Sequence, residues 1–243
     1  DTLDDAIRKT EQVINKLQQM KQGLLHDLLT RGIGETGELR DPERHPEKCW
    51  RRTTLGELLF QVREPGVEGV PTVAVTLTDG LVRRNDDERR VQTALRAQQH
   101  LLVRTGDIAY NMMRMWQGAC GLATEDCLVS PAYVVLRVRD ALRPRFAYRL
   151  FKSPAMIADF LVHSRGITSD RYRLYPQDLL RIGARVPQDP DEQERIADIA
   201  DALEGRLAEE HRELAKLGSL KHGLMDDLLT GRVRTRVPEE AAT

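Results

Sequence analysis

The sequence predicts an α+β protein in which a mixed α/β domain is flanked by two long helices that pack as an antiparallel coiled coil. Three observations favour this fold class. A helical segment occurs twice, the residues between the copies contain short β-rich runs, and positive charge is concentrated in the same central part. The two copies, KLQQMKQGLLHDLLT at residues 16–30 and KLGSLKHGLMDDLLT at residues 216–230, share nine identical positions.

Apolar residues in both copies are spaced alternately three and four positions apart, which is the seam of a coiled coil. The seam residues are Leu3, Ile7, Ile14, Leu17, Leu24 and Leu28 in the first copy, and Leu203, Leu207, Leu214, Leu217, Leu224 and Leu228 in the second. A single amphipathic helix would simply cover a core. However, Lys21 and Lys221 interrupt both seams at the same place, and polar seam residues fix register. We therefore expect helix to pack on helix.

The predicted organisation has five segments. They are a first helix at 1–31, a Gly- and Pro-rich linker at 32–49, a central domain at 50–187, a second helix at 188–232 and a flexible tail at 233–243. The second helix should begin near Asp191, after two prolines, with Asp189 or Asp191 as its cap. Asp1 aligns with Asp201, inside that helix, so we expect the chain to be part of a longer protein.

Within the central domain, β-rich runs, turn signals and one apolar helical stretch alternate. The predicted elements are a strand and short helix in 50–60, strands at 70–75, 100–103, 108–113 and 132–138, and a helix over 146–160 broken near Ser153-Pro154. The side chains of Met112, Met113, Met115 and Trp116 should pack in the core.

Composition excludes several classes. With 40% hydrophobic and 31% charged residues, the chain has no apolar run of the roughly 20 residues that cross a bilayer, and it opens with no signal peptide. Cys49, Cys120 and Cys127 lack metal-ligand spacing, which favours buried or half-buried free thiols in a reducing cytoplasm.

The net charge of −1 conceals an uneven distribution. Residues 51–186 contain 21 Lys/Arg against 14 Asp/Glu, whereas the rest contains 16 against 24. All of the central basic residues except Lys152 are arginines, which bind phosphates and guanine edges in a bidentate manner. The distribution predicts nucleic acid as the partner of the central domain and proteins as partners of the helices.

Residues 164–187, SRGITSDRYRLYPQDLLRIGARVP, interleave basic, hydroxyl and aromatic side chains, a mixture suited to phosphate positioning with some base reading. The run at 83–90 is also rich in arginine, although its acidic residues are equally consistent with a solvated mixed-charge loop. The candidate DNA-binding residues are Arg83, Arg84, Asn85, Arg89, Arg90, Arg114, Gln117, Arg165, Thr168, Ser169, Arg171, Tyr172 and Arg173.

Catalytic patterns are missing from the sequence. There is no phosphate-binding loop and no glycine-rich strand-to-helix turn for a dinucleotide or S-adenosylmethionine, and the six histidines have no metal-ligand spacing. Ser130-Pro131-Ala132-Tyr133 resembles the N-P-P-Y motif of amino-methyltransferases only weakly, because serine replaces the amide, so we interpret it as a strand entry. We predict a binding protein with no catalytic residue, metal or cofactor of its own.

The motifs resemble those of one family, the specificity (S) subunits of Type I restriction–modification systems. Both helix endings, K-L-x-x-[ML]-K-x-G-L-[LM]-x-D-L-L-T, resemble that family's conserved-region helices. The run from Val186 through Asp191-Glu192-Gln193 to Ala197 resembles its P-x-x-E-Q-x-x-I-A entry into the second helix. Landmarks of its target-recognition domain match Trp50 to Leu58, Gly106-Asp107-Ile108, Gly118-Ala119, Ser130 to Tyr133, and Gly166 to Pro187.

The resemblance implies how such a protein works. An S subunit carries two target-recognition domains separated by two antiparallel helices, and each domain reads half of a bipartite DNA site. The length of the helices sets the non-specific spacer between the two half-sites. A helix from Asp191 to Leu229 would span roughly 57 Å. Partner modification subunits, which bind S-adenosylmethionine, methylate adenine, and a restriction subunit cleaves. This chain has one recognition domain, so it would be the C-terminal half of a subunit or a half-subunit that pairs with itself.

Two other functions fit the sequence. The chain could be the recognition module of a fused methyltransferase–endonuclease, which catalytic motifs upstream in the parent chain would reveal. It could instead be a coiled-coil scaffold whose central domain binds protein. A scaffold would lack the steep salt dependence expected of a DNA-binding protein.

Overall fold

The structure, a computed structural model, describes residues 2–34, 36–40, 50–83, 95–168 and 171–233. Its helices are α1 (Thr2–Arg31), α2 (Leu55–Leu58), α3 (Pro144–Phe151), α4 (Pro154–His163), α5 (Pro176–Leu179) and α6 (Pro190–Leu229). Its strands are β1 (Trp50–Thr54), β2 (Leu59–Val62), β3 (Glu64–Pro65), β4 (Val73–Val75), β5 (Leu81–Arg83), β6 (Leu101–Val103), β7 (Ile108–Asn111), β8 (Cys120–Leu122), β9 (Cys127–Val129), β10 (Tyr133–Val138) and β11 (Gly183–Pro187).

The chain forms two compact units, residues 1–24 with 199–243 and residues 25–198. In the first unit, α1 and α6 run antiparallel. Lys21 Nζ donates to Glu204 Oε1 at 2.7 Å, and Lys221 Nζ lies 2.6 Å from Asp4 Oδ1. Residues later in α1 therefore lie opposite residues earlier in α6. The α+β class and the packing of the two long helices on each other are as the sequence predicted.

These two ion pairs are one contact made twice. Lys21 and Lys221 occupy the same position of the repeated segment, and their partners, Glu204 and Asp4, are also 200 residues apart. The polar interruptions of the seam are thus the residues that pair across it. This is the register-fixing role expected of a polar seam residue.

Burial along the seam is uneven. Ile14 and Leu207 are buried, whereas Leu224 and Leu228 are exposed. The antiparallel register explains the difference: Lys221 already lies opposite Asp4, so α6 continues past the first residue of α1. The two predicted seam leucines near the end of α6 lie beyond this ion pair and are exposed.

In the second unit, the two ends of the central-domain sequence meet. Strand β1 pairs antiparallel with β11, with Trp50 opposite Pro187 and Thr54 opposite Gly183. The Trp50 ring packs edge-on against Phe146, with centroids 6.4 Å apart. The pairing closes the domain at the points where the helices attach.

The remaining strands form short antiparallel sheets in the orders β2-β10-β7-β8, β3-β6-β9 and β4-β5. The strands on either side of the turn at Thr105–Asp107, β6 and β7, belong to different sheets. In this turn the buried Asp107 carboxylate accepts two hydrogen bonds from Arg137, both at 2.8 Å. An apolar core that includes Val73, Val103 and Val135 lies among these sheets.

The predicted helix over 146–160 is two helices, α3 and α4, separated where the sequence indicated a break. Ser153 caps α4 by accepting the Met156 N–H, and Pro154 occupies a first-turn position, where its missing donor costs nothing. Phe151 and Phe160 meet edge-to-face across the break, 5.3 Å apart, and bury both rings.

Two sequence-based expectations concerned the burial of methionine and cysteine side chains. Met115 is fully buried, but the prediction that Met113 packs in the core is wrong. Its side chain is 48% exposed because it lies in the surface turn after β7, held by the Asn111 side chain. Cys120 and Cys127 are buried free thiols, and Cys49 lies outside the described residues. None of the helices described is long and apolar enough to span a membrane.

Candidate nucleic-acid interface

The arginine-rich segment before α5 forms a closed loop. Arg165 and Arg173 pair as an antiparallel bridge through two N–H···O bonds of 2.9 Å, and Arg171 N donates to the carbonyl of Thr168. Gly166 permits the close approach of the two sides, since a Cβ there would lie 2.7 Å from the Arg171 carbonyl oxygen. Backbone hydrogen bonds therefore join the two described sides of this loop, residues 165–168 and 171–173.

Buried residues fix the base of this loop to the domain. Leu174, which follows the bridge, is fully buried, and its N–H donates to the Met112 carbonyl at 2.9 Å. The buried Tyr110 hydroxyl donates to the Leu174 carbonyl at 3.2 Å. Burial raises the pKa of Tyr110, and the Asp178 charge raises it further, so this phenol remains a donor at neutral pH.

An open cleft of about 650 Å³ lies beside the loop. It is lined by Arg165, Gly166, Arg171, Arg173, Tyr175 and Gln177. The guanidinium groups of Arg171 and Arg173 are exposed and make no ion pair or hydrogen bond with any residue that the structure describes. Among the described residues, these two positive charges of the cleft have no compensating partner, and such charges favour an anionic ligand.

Arg165 differs from the other two cleft arginines. Its Nη2 donates to Asp178 Oδ1 at 2.5 Å, and Asp178 is only 7% exposed. The hydrogen bond and charge of Asp178 raise the pKa of Arg165. The other carboxylate oxygen, Oδ2, is buried without a hydrogen-bond partner in the described part of the chain. Arg165 is thus an ion-pair partner as well as a cleft residue.

The structure also connects Tyr172 with the turn that carries Gln117. The Tyr172 ring meets Trp116 edge-on, with centroids 5.7 Å apart. Trp116 and Gln117 lie in a 3₁₀ turn at Met115–Gln117, preceded by the exposed Arg114. Candidate residues from two separate parts of the sequence are therefore joined through one aromatic contact.

Other candidates are placed differently. Arg83, at the end of β5, forms a bidentate ion pair with Glu125, with Nη2 to carboxylate distances of 2.6 and 2.9 Å, so its charge is compensated. Thr168 is exposed, and its carbonyl accepts the Arg171 N–H. The candidates Arg84, Asn85, Arg89, Arg90 and Ser169 lie outside the described residues.

Sequence reasoning missed several residues of this surface. Tyr175 and Gln177 line the cleft, Asp178 holds Arg165, and Ile167 is 93% exposed beside the arginines. The only signal was Tyr-Pro-Gln-Asp at 175–178, in which a proline marks the first turn of α5. Such a motif can indicate a helix start, but it does not tell which side chains face the loop.

The Glu192-Gln193 pair at the start of α6 has a structural role. The fully buried Glu192 carboxylate accepts from Trp50 Nε1 at 3.2 Å, Ile33 N at 3.1 Å and Arg40 Nη2 at 2.7 Å. Gln193 accepts from Arg143 N at 2.7 Å and donates to the carbonyls of Ala141 and Pro187. Of the two predicted caps, Asp189 is the acceptor, bonding the N–H groups of Asp191 and Glu192.

Side chains suited to metal binding are not clustered. Among the described residues, no three His, Cys, Asp or Glu side chains group in a way that could hold an ion. Elsewhere in the second unit, Arg137 forms ion pairs with both Asp107 and Glu64. Among the described residues, the arginine cleft is therefore the candidate ligand-binding site.

Comparison with solved structures identifies the fold. No protein-family model matches the sequence, and no curated protein matches it significantly. The HsdS subunit from Thermoanaerobacter tengcongensis is similar in structure, with a TM-score of 0.53 and 18% identity over 93% of this chain and 54% of its own. The S subunit of a Type I restriction–modification system from M. genitalium is similar too, with a TM-score of 0.57 and 12% identity over 92% and 56%.

A third match is a chain from a structure that concerns complex assembly and conformational transition of the type I R-M system. Its TM-score is 0.56 at 17% identity, covering 93% of this chain and 56% of that one. The chain therefore has the fold of a Type I specificity subunit. It spans slightly more than half the length of the chains it matches.

Proposed function

We propose that this chain is a DNA-recognition part of a Type I restriction–modification specificity subunit, and that its central domain reads one half of a bipartite site. The observation that carries the proposal is the cleft of three arginines, two of them without an ion-pair partner among the described residues, on a domain with the S-subunit fold. The excess of basic residues within 51–186 supports it, because DNA binding rests largely on phosphate contacts.

In this proposal the chain contributes recognition, and its partners contribute chemistry. Modification subunits that bind S-adenosylmethionine methylate adenine at the site chosen by the central domain, and a restriction subunit cleaves unmodified DNA. The paired helices α1 and α6 hold the spacing. With 40 residues, α6 is about 60 Å long, enough to span nearly two turns of duplex DNA. A second recognition domain comes from the rest of a longer subunit or from a second copy of this chain.

The test is co-expression of the chain with its neighbouring modification subunit, followed by affinity capture and sequencing of the methylated adenines in the host genome. The proposal predicts a stable complex and a new bipartite adenine-methylated motif. A complex without new methylation would limit the proposal to half of a site that needs its other half. If no complex forms and no new methylation is found, the result would contradict the proposal and favour a scaffold.

A further inference from the structure

Ile167 is the most exposed large hydrophobic side chain among the described residues. It is 93% exposed, against 82% for Leu229 and 77% for Val162. Isoleucine is among the residue types most often found buried, and burial of its side chain stabilises a fold. The free domain gains none of that stabilisation at position 167.

The exposure follows from a constrained backbone. Ile167 lies inside the loop closed by the Arg165–Arg173 bridge, directly after Gly166 and before Thr168, whose carbonyl accepts the Arg171 N–H. Leu174 and Tyr110 fix the base of the loop in the core. The backbone hydrogen bonds on either side of Ile167 keep its side chain in solvent, although the buried Leu174 follows only seven residues later.

The surroundings of Ile167 indicate which ligand it would meet. Arg165 and Arg171 flank it in the loop, and the cleft beside it carries Arg173 and the amide of Gln177. A protein partner that covered an isoleucine would also have to accommodate two guanidinium groups that form no ion pair within the described part of the chain. Double-stranded DNA presents both features together, because phosphates line the groove and the thymine C5-methyl group is an apolar patch on its floor.

We infer that Ile167 contacts a thymine methyl group in the DNA groove and so determines one base of the recognised half-site. The inference rests on the proposed DNA-binding function and adds to it a specificity-determining residue. The arginines beside it position the loop on the phosphates, which are the same in every sequence. The isoleucine supplies a contact that depends on the base.

The experiment uses the full chain and a pool of duplexes with a degenerate central segment. Wild-type protein and Ile167→Ala are each used to select bound DNA, and the selected sequence is then resynthesised with deoxyuridine in place of each thymidine in turn. Uracil pairs as thymine does and lacks only the methyl group. We expect one such replacement to weaken wild-type binding about fourfold, the change for burial of one methyl-sized group.

The same replacement should leave binding by Ile167→Ala unchanged, because that variant has already lost the contact. Binding of the variant to random duplex, and its salt dependence, should equal those of wild type. Val162→Ala is the matched control, since it shortens another highly exposed aliphatic side chain, on α4. It should retain both the wild-type preference and the response to uracil.

Three outcomes overturn the inference in distinguishable ways. An Ile167→Ala variant with wild-type preference and wild-type uracil responses refutes the role of Ile167 and leaves the proposed function intact. If Val162→Ala loses the sequence preference as much as Ile167→Ala does, the loss is a general effect of removing apolar surface. Wild-type protein that selects no sequence, or binds DNA without dependence on salt, refutes the proposed function and the inference with it.

Discussion

Arg165 Nη2 lies 2.5 Å from Oδ1 of Asp178, a carboxylate that is only 7% exposed. This contact divides the three cleft arginines into two kinds. Arg165 already has a counter-charge within the protein, whereas Arg171 and Arg173 have none among the described residues. We therefore expect Arg165 mainly to hold the loop, and the other two to bind phosphate.

Replacing Asp178 by asparagine should strengthen binding to random-sequence DNA. The substitution keeps the shape of the side chain but removes its negative charge, which frees the Arg165 charge for phosphate. The slope of log K against log salt should become steeper by up to about 0.9, the value for one further phosphate contact. Fluorescence anisotropy with a labelled duplex measures both. Weaker binding by a folded Asp178→Asn variant would show that the carboxylate positions Arg165 for DNA rather than competing with it.

Replacing Glu192 by alanine should destabilise the second unit severely. Its buried carboxylate accepts hydrogen bonds from Trp50, Ile33 and Arg40, and loss of one partner of a buried pair costs about 3–5 kcal/mol. Glu192→Gln, which retains an acceptor, should cost less. Urea denaturation followed by tryptophan fluorescence measures the free energy of unfolding. Asp191→Ala, in the same helical turn but exposed, is the control. An equal effect of the two alanine variants would contradict the role assigned to Glu192.

Charge reversal should test the register of the helix pair. Lys21→Glu places two carboxylates together where Lys21 and Glu204 now lie 2.7 Å apart, and should lower the melting temperature. Adding Glu204→Lys to the same chain should recover most of the loss, because partly exposed pairs contribute about 0.2–1 kcal/mol whichever side carries each sign. A double variant no more stable than the single one would contradict the observed pairing. The Lys221–Asp4 pair provides an independent repeat.

Alkaline pH should destabilise the fold. Burial raises the pKa of Cys120 to about 12 and that of Cys127, beside acidic residues, to about 11, against 9.0 for an unperturbed thiol. Above about pH 9 the unfolded chain releases these protons while the folded chain keeps them. The free energy of unfolding must then fall as pH rises. Urea denaturation at pH 8, 9 and 10 measures the trend, and a double Cys120→Ala, Cys127→Ala variant should show a smaller slope. Constant stability over this range would contradict the burial of the thiols.

The helices could be predicted from the sequence because their signals are local and periodic. The repeated segment, its seam and the matched Lys21 and Lys221 follow from residue spacing alone. The break between α3 and α4 follows from Ser153-Pro154, whose capping and dihedral preferences hold in any context.

The candidate site could be predicted only in part, because its composition is local and its geometry is not. The run of arginines at 165–173 marked the segment. That Asp178 compensates Arg165, and Glu125 compensates Arg83 from 42 residues away, depends on how the chain folds back. The exposure of Ile167 depends on the anchoring of Leu174 and Tyr110 in the core. Such non-local contacts leave no pattern in the sequence.

The salt dependence of DNA binding tests the central claim most directly. Binding of the full chain to a random-sequence duplex is measured over a range of salt concentrations for wild type, Arg171→Ala, Arg173→Ala and the double variant. Arg63→Ala is the matched control, because it removes one exposed arginine of the same unit away from the cleft.

We predict steep salt dependence for wild type and for Arg63→Ala. Each cleft substitution should weaken binding and reduce the slope by about 0.9, and the double variant should lose about twice that amount. All four variants should keep the wild-type melting temperature, since these guanidinium groups form no ion pair or hydrogen bond with any described residue. Wild-type protein that binds without salt dependence, or folded cleft variants that bind like wild type, would contradict the assignment of this cleft to DNA.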